Sequence, residues 1–186
     1  PEPTPVPTPT ATPEPIPTVP GETTIGSTAQ GAPIKAPTSN ASQEAITAAS
    51  NIKTSSDIAV QATDKGVVAT TTSGSQVTVK PEAATKVEIA EDNSGRLTLN
   101  ATAEIEEVEL VANKPELSIS GSNIKNSSFV FEEGVTANLV STSKKLANTS
   151  FTMQEGKDKA TFESGTIKNS TADTGAGGDD VVIGAD

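Results

Sequence analysis

Short alternating triplets return about every 21 residues through most of this chain, and that period constrains the fold more than any other feature. One series runs Val87-Glu88-Ile89, Val108-Glu109-Leu110, Phe129-Val130-Phe131 and Phe151-Thr152-Met153, with starts 21, 21 and 22 residues apart. A second runs Val77-Thr78-Val79, Leu97-Thr98-Leu99, Leu117-Ser118-Ile119, Ala137-Asn138-Leu139, Ala160-Thr161-Phe162 and Val181-Val182-Ile183, at spacings of 20, 20, 20, 23 and 21. A third includes polar positions: IKNSS at 124–128, LANTS at 146–150 and IKNST at 167–171. Alternation of apolar and polar residues is the strand period, and a fixed repeat of this length marks stacked architectures. The expected fold is therefore all-β: a parallel β-solenoid of about 21 residues per coil over residues 57–186. Equivalent positions of successive coils would stack about 4.8 Å apart. The four triplets of the first series should then form one column. A single coil cannot bury its apolar face, so neighbouring coils must supply the core.

Composition agrees with a thin interior. Among 186 residues there are four Phe and no Trp or Tyr. Cys and His are both absent, which excludes disulfides, thiolate chemistry, imidazole catalysis and zinc sites built on those side chains. The formal net charge of −11 disfavours nucleic acid and anionic membranes as partners. No run approaches the 18 apolar residues of a membrane span.

Before the repeats, residues 1–24 form a Pro/Thr tract. Proline fixes φ and removes a donor, so polyproline II is expected. At about 3.1 Å per residue the tract would span on the order of 70 Å. With the softer IGSTAQGAPIKAPTSN it makes residues 1–40 an extended linker or stalk, and its threonines suit O-glycosylation. Residues 41–56 are expected to hold a short helical cap. Ser42 or Asn40 can be its N-cap, Glu44 lies in the first turn, and Ala45, Ile46, Ala48 and Ala49 make its apolar face.

Asn126, Asn148 and Asn169 begin the repeated Asn-Ser/Thr-Ser/Thr stretches. The pattern matches the N-glycosylation acceptor, as do Asn40 and Asn100. The stronger expectation is an asparagine ladder, with side-chain amides bonding from coil to coil at a corner. Asparagine tolerates the left-handed backbone that sharp corners require.

The chain closes on TGAGGDDVVIGAD. This resembles the nonapeptide G-G-x-G-x-D-x-U-x of RTX (haemolysin-type) calcium-binding repeat proteins. In one register Gly175, Gly177, Asp179 and Val181 match. In the other, which is preferred because Gly184 follows nine residues on, Gly175, Gly178, Asp180 and Val182 match. The resemblance implies Ca²⁺ held by Gly175, Gly177, Gly178, Asp179, Asp180 and Asp186, since calcium takes six to eight hard oxygens. It further implies bacterial surface proteins of the S-layer or giant-adhesin type, secretion without a cleaved classical signal, and a longer parent chain. Elsewhere, EIEEVEL (104–110) reads as a solvated face and EDNSG (91–95) as a turn. One Arg and no aromatic platform argue against a glycosidase or lyase, and no enzyme is expected. The expected function is structural: an extracellular surface layer or filament that self-associates. The alternative is an adhesin or fibre module that binds a host surface or a cell-surface glycan.

Overall fold

The computed structural model describes residues 23–184, so the Pro/Thr tract over 1–22 and Asp186 lie outside the described residues. In order, the chain forms β1 (Thr24–Ser27), β2 (Pro33–Lys35), α1 (Gln43–Asn51), β3 (Lys53–Thr54), β4 (Ala59–Thr63), β5 (Gly66–Thr70), β6 (Gln76–Val79), β7 (Val87–Glu91), β8 (Leu97–Ala101) and β9 (Glu104–Glu106). It continues with β10 (Glu109–Ala112), β11 (Glu116–Lys125), β12 (Ser128–Phe131), β13 (Asn138–Ala147), β14 (Ser150–Thr152), β15 (Lys159–Lys168), β16 (Thr171–Asp173) and β17 (Asp180–Gly184). These make a nine-stranded sheet, β1-β2-β4-β5-β6-β10-β12-β14-β16, and an eight-stranded sheet, β17-β15-β13-β11-β8-β7-β3, with β9 beside β11.

From β8 onward the architecture is the expected parallel β-solenoid, about four turns of about 21 residues. Three columns run through the core. Leu97, Leu117, Leu139, Ala160 and Val181 stack in the eight-stranded sheet. Ile105, Ile124, Leu146 and Ile167 stack in the following leg. Leu110, Phe129, Phe151 and Ala172 stack in the nine-stranded sheet. Phe129 and Phe151 lie face to face with ring centroids 5.0 Å apart, and Phe162 meets Phe151 edge-on at 4.9 Å. Such pairs add to the apolar area they bury.

The columns correct the expected register in four places. Val108 lies two residues before the member of the Phe129 column, which is Leu110. Val87 belongs to the other sheet, in β7, antiparallel to β8. Val77 lies in β6, where it opposes Leu110 antiparallel. In the second series Leu139, not Ala137, continues from Leu117. For Val108 and Ala137 the cause is a slip of two residues, and for Val87 and Val77 it is strand direction and sheet. A slip of two residues leaves every side chain on its own face, so alternation alone does not distinguish the registers. Strand direction is equally invisible to alternation.

The region before β8 is built differently. β4, β5 and β6 form an antiparallel meander, and β7 pairs with β8 antiparallel. Residues 24–35, expected as linker, instead form the antiparallel pair β1–β2, joined to β4 at Ile34↔Val60. Helix α1 forms within the expected window. The Ser42 hydroxyl accepts the Ala45 N–H at 3.1 Å, which makes Ser42 the cap. Ala45, Ala48 and Ala49 are buried in the common core with Ile52, and α1 packs on β4 and β5. Small side chains let the helix lie close on the sheet.

Candidate functional site

Two corners of the coil carry the residues singled out by the sequence. The first lies where each coil turns into the nine-stranded sheet. Asn126, Asn148 and Asn169 occupy successive rungs there with φ of 52°, 49° and 50°. Asn148 Nδ2 donates to Asn126 Oδ1 at 3.1 Å, and Asn126 Nδ2 reaches Glu106 Oε1 at 3.3 Å. Glu107 takes the same position in the coil below, also with φ of 52°. The residue after each asparagine completes the corner. Ser127, Thr149 and Ser170 hydroxyls donate to the carbonyls of Lys125, Ala147 and Lys168. Ser127 Oγ in turn accepts the Val108 N–H, and Ser170 Oγ the Thr149 N–H, from the coil below. This hydroxyl column was open to view in the repeated NSS, NTS and NST. Beside it, Glu106 and Glu104 flank Lys125 and hold its ammonium above the ordinary lysine range.

The second corner joins the nine-stranded sheet back to the eight-stranded one and contains the Gly/Asp motif. Gly156 and Gly177 face each other in a parallel bridge. A Cβ on Gly177 would overlap the Gly156 carbonyl oxygen. Gly175 has φ of 69°, and a Cβ there would strike the Gln154 carbonyl. Gly178 has no comparable neighbour, the nearest atom to its Cβ being Lys157 Cε at 3.8 Å. Asp179 is half-buried and its Oδ1 accepts the Asp158 N–H at 3.1 Å. Asp158, one coil below and 1% exposed, repeats the gesture: its Oδ1 accepts the Ala137 N–H at 2.7 Å. Asp158 Oδ2 is buried with no hydrogen-bond partner. Asp180 is exposed and stacks over Lys159.

These facts select the first register of the motif. Val181 continues the inward column of Leu97, whereas Val182 stacks on Thr161 and faces out. The repeated unit is thus Gly177-x-Asp179-x-Val181, and a second copy, Gly156-x-Asp158-x-Ala160, lies 21 residues upstream. Sequence reasoning missed Asp158 because its coil lacks the glycine cluster; the G-x-D spacing at the solenoid period was the available signal.

Among the described residues, which leave out Asp186, the donor set is not gathered into a calcium cage. The implied cage needs oxygens converging on one point. Here Asp158 and Asp179 each spend one carboxylate oxygen on a main-chain N–H along the solenoid axis. Among the described residues no group of three or more acidic side chains is gathered where a metal could be held. Close coil packing supplies a reason for Gly175 and Gly177 that involves no ion.

EDNSG forms a turn. Asp92 Oδ1 accepts the N–H groups of Ser94 and Arg96 and the Ser94 hydroxyl, and the Ser94 hydroxyl bond and these amides hold its carboxyl below the usual range. Glu91 is buried, where it accepts the Thr72 hydroxyl at 3.0 Å and that of Ser73, and so ties the β5–β6 turn to the other sheet. No family model matches the chain, and no curated protein or solved structure is significantly similar to it.

Proposed function

We propose that this chain is a structural module of an extracellular bacterial surface layer or filament. The observation behind this reading is the solenoid itself: at its corners, side chains such as Asn148, Ser170 and Asp179 bond to the coil below. A rod held in this way suits load bearing and repetition. The RTX resemblance of residues 174–186 favours a bacterial surface setting, and the Pro/Thr tract would project the rod from its anchor. Calcium is not required by this reading, because the Gly/Asp corner is held by hydrogen bonds.

Electron microscopy of the purified chain tests the proposal. Ordered arrays or filaments are expected. Dispersed particles at high concentration, with and without calcium, would count against it. Melting in EDTA and in millimolar calcium tests the corner separately, and the expected result is one melting temperature in both.

An adhesin is the second reading. It is favoured by the breadth of the nine-stranded sheet, whose outer face presents Thr78, Glu109, Ser128, Ser150 and Thr171 in register. Such a face would take a flat polar ligand such as a glycan. Retention on an immobilised glycan array, with no self-assembly, would select this reading over the first.

A further inference from the structure

Five asparagines stand in the acceptor sequence for N-linked glycans: Asn40, Asn100, Asn126, Asn148 and Asn169. The fold treats them differently. A transferase must reach the asparagine amide and the hydroxyl two residues on together, so the three residues have to leave the surface as a loop. At the corner of the coil this is resisted. The Nδ2 atoms of Asn126 and Asn148 are spent on Glu106 and on Asn126, and both residues have left-handed backbones. The hydroxyls two places on, Ser128 and Ser150, belong to β12 and β14, each paired on both edges. Asn169 repeats the corner with φ of 50°, and its Thr171 is held by β14. Asn100 lies inside β8 between Glu88 and Ser120, and its Oδ1 accepts the Ser120 hydroxyl at 3.0 Å. Freeing any of these four takes strand residues out of a sheet.

Asn40 is placed otherwise. It is exposed in the turn between β2 and α1. Its Oδ1 accepts the hydroxyl of the neighbouring Ser39 at 3.2 Å, and its Nδ2 donates to no group among the described residues. One main-chain bond crosses the turn, from the Ala41 N–H to the Thr38 carbonyl at 3.1 Å. Ser42, two residues on, is exposed as well. As the helix cap, its oxygen accepts the Ala45 N–H through a lone pair, which leaves the hydroxyl proton free to donate. The Thr38 N–H is fixed to Ala62 of β4 and Ser42 to the first turn of α1, so both ends of the segment are anchored while its middle is open.

We infer that Asn40 is an N-glycosylation site, selected by the fold from the five acceptor sequences, and that it takes an oligosaccharide carried on a lipid diphosphate. The inference rests on the extracellular setting of the reading above. In the transfer, Asn40 Nδ2 forms a bond to the anomeric carbon of the first sugar. The bond from that carbon to the diphosphate oxygen breaks, the lipid diphosphate leaves with the electron pair, and the amide gives one proton to a base of the transferase. Asn40 belongs to the end closed by α1, so a glycan there leaves the outer faces of the parallel coils free to pack.

Incubation of the folded full chain with a single-subunit oligosaccharyltransferase and its lipid-diphosphate oligosaccharide tests the site, with glycopeptides mapped by mass spectrometry. A digest of the same chain cut after glutamate is the control, because it keeps all five acceptor sequences intact in unfolded peptides. In the folded chain, occupancy at Asn40 is expected to exceed that at each of the other four by about tenfold or more, which takes only about 1.4 kcal/mol of difference in local opening. Asn40→Gln should remove the signal and Ser42→Thr should keep it. Ser42→Asp, which retains a capping oxygen but has no hydroxyl, should remove it with the circular dichroism spectrum unchanged. Absence of modification at Asn40 in the folded chain would overturn the inference, whatever the digest shows. Equal occupancy of the corner asparagines in the folded chain would do so too, as would a preference of the same size in the digest, which would assign it to local sequence. A chain modified at Asn40 that built no arrays would keep this site and refute the structural role; an unmodified chain that built arrays would do the reverse.

Discussion

Asp158 is the residue on which the Gly/Asp corner turns. It sits in the interior with one oxygen on the Ala137 N–H and receives nothing on the other. A buried N–H that loses its acceptor costs about 1–3 kcal/mol. Asp158→Ala should therefore lower unfolding stability by about that amount, while Asp158→Asn, which keeps an acceptor oxygen, should cost distinctly less. Urea denaturation measures both, and equal losses would show that the Ala137 bond is not the cause. Asn148 gives a second contrast, because it combines a left-handed backbone with a ladder bond. A non-glycine side chain without a local hydrogen bond pays roughly 1–2 kcal/mol in that region. Asn148→Ala should lose both contributions and Asn148→Gly only the ladder bond, so the melting temperature should fall further for alanine.

At the scale of the element, the unit is the coil, and its core is a column rather than a cluster. Phe151 stacks on Phe129 of the coil below and meets Phe162 edge-on across the core from the facing sheet. Phe151→Ala should cost about 3–5 kcal/mol, the range for a large aromatic removed from a packed core. Thermal unfolding monitored by circular dichroism checks this. Gly177→Ala should also destabilise, because its Cβ would meet the backbone of the coil below and not a mobile side-chain end. Gly178→Ala, with open space at its Cβ, should be close to neutral; the pair is a melting-temperature comparison.

The columns also show what the sequence could and could not reveal. The IKNSS, LANTS and IKNST repeats carried the correct register, because a polar corner residue with positive φ has no neighbour two places away that imitates it. The triplets misaligned Val108 and Ala137 because apolar residues stood at both candidate positions and alternation tolerates either. Ser141 hid the true frame of β13, since the chain buries that serine at 1% exposure where an apolar residue was expected. The meander of β4 to β6 was read as coils for a similar reason: antiparallel and parallel strands share one alternation, and only the partner distinguishes them. The short β1–β2 pair, rich in Gly, Pro and Thr, carried no alternation at all.

For the molecule as a whole, these features make a capped rod. α1 and the antiparallel region close one end, and coils add in parallel from β8. Stability in such an array is close to a sum over neighbouring coils, so changes at Phe151 and Asp158 should act on the far coils more than on the region of β4 to β7. The central claim is the stacking register itself, and pairs of nitroxide labels on introduced cysteines read it directly. Val111 and Val130 are neighbours on adjacent rungs of the outer face, which places their backbones about 4.8 Å apart. Strong dipolar broadening is predicted for labels at 111 and 130, and weaker broadening for labels at 111 and 132. The reverse order would mean that Val108 stands beneath Phe129 after all, and the coils described here would be wrongly stacked.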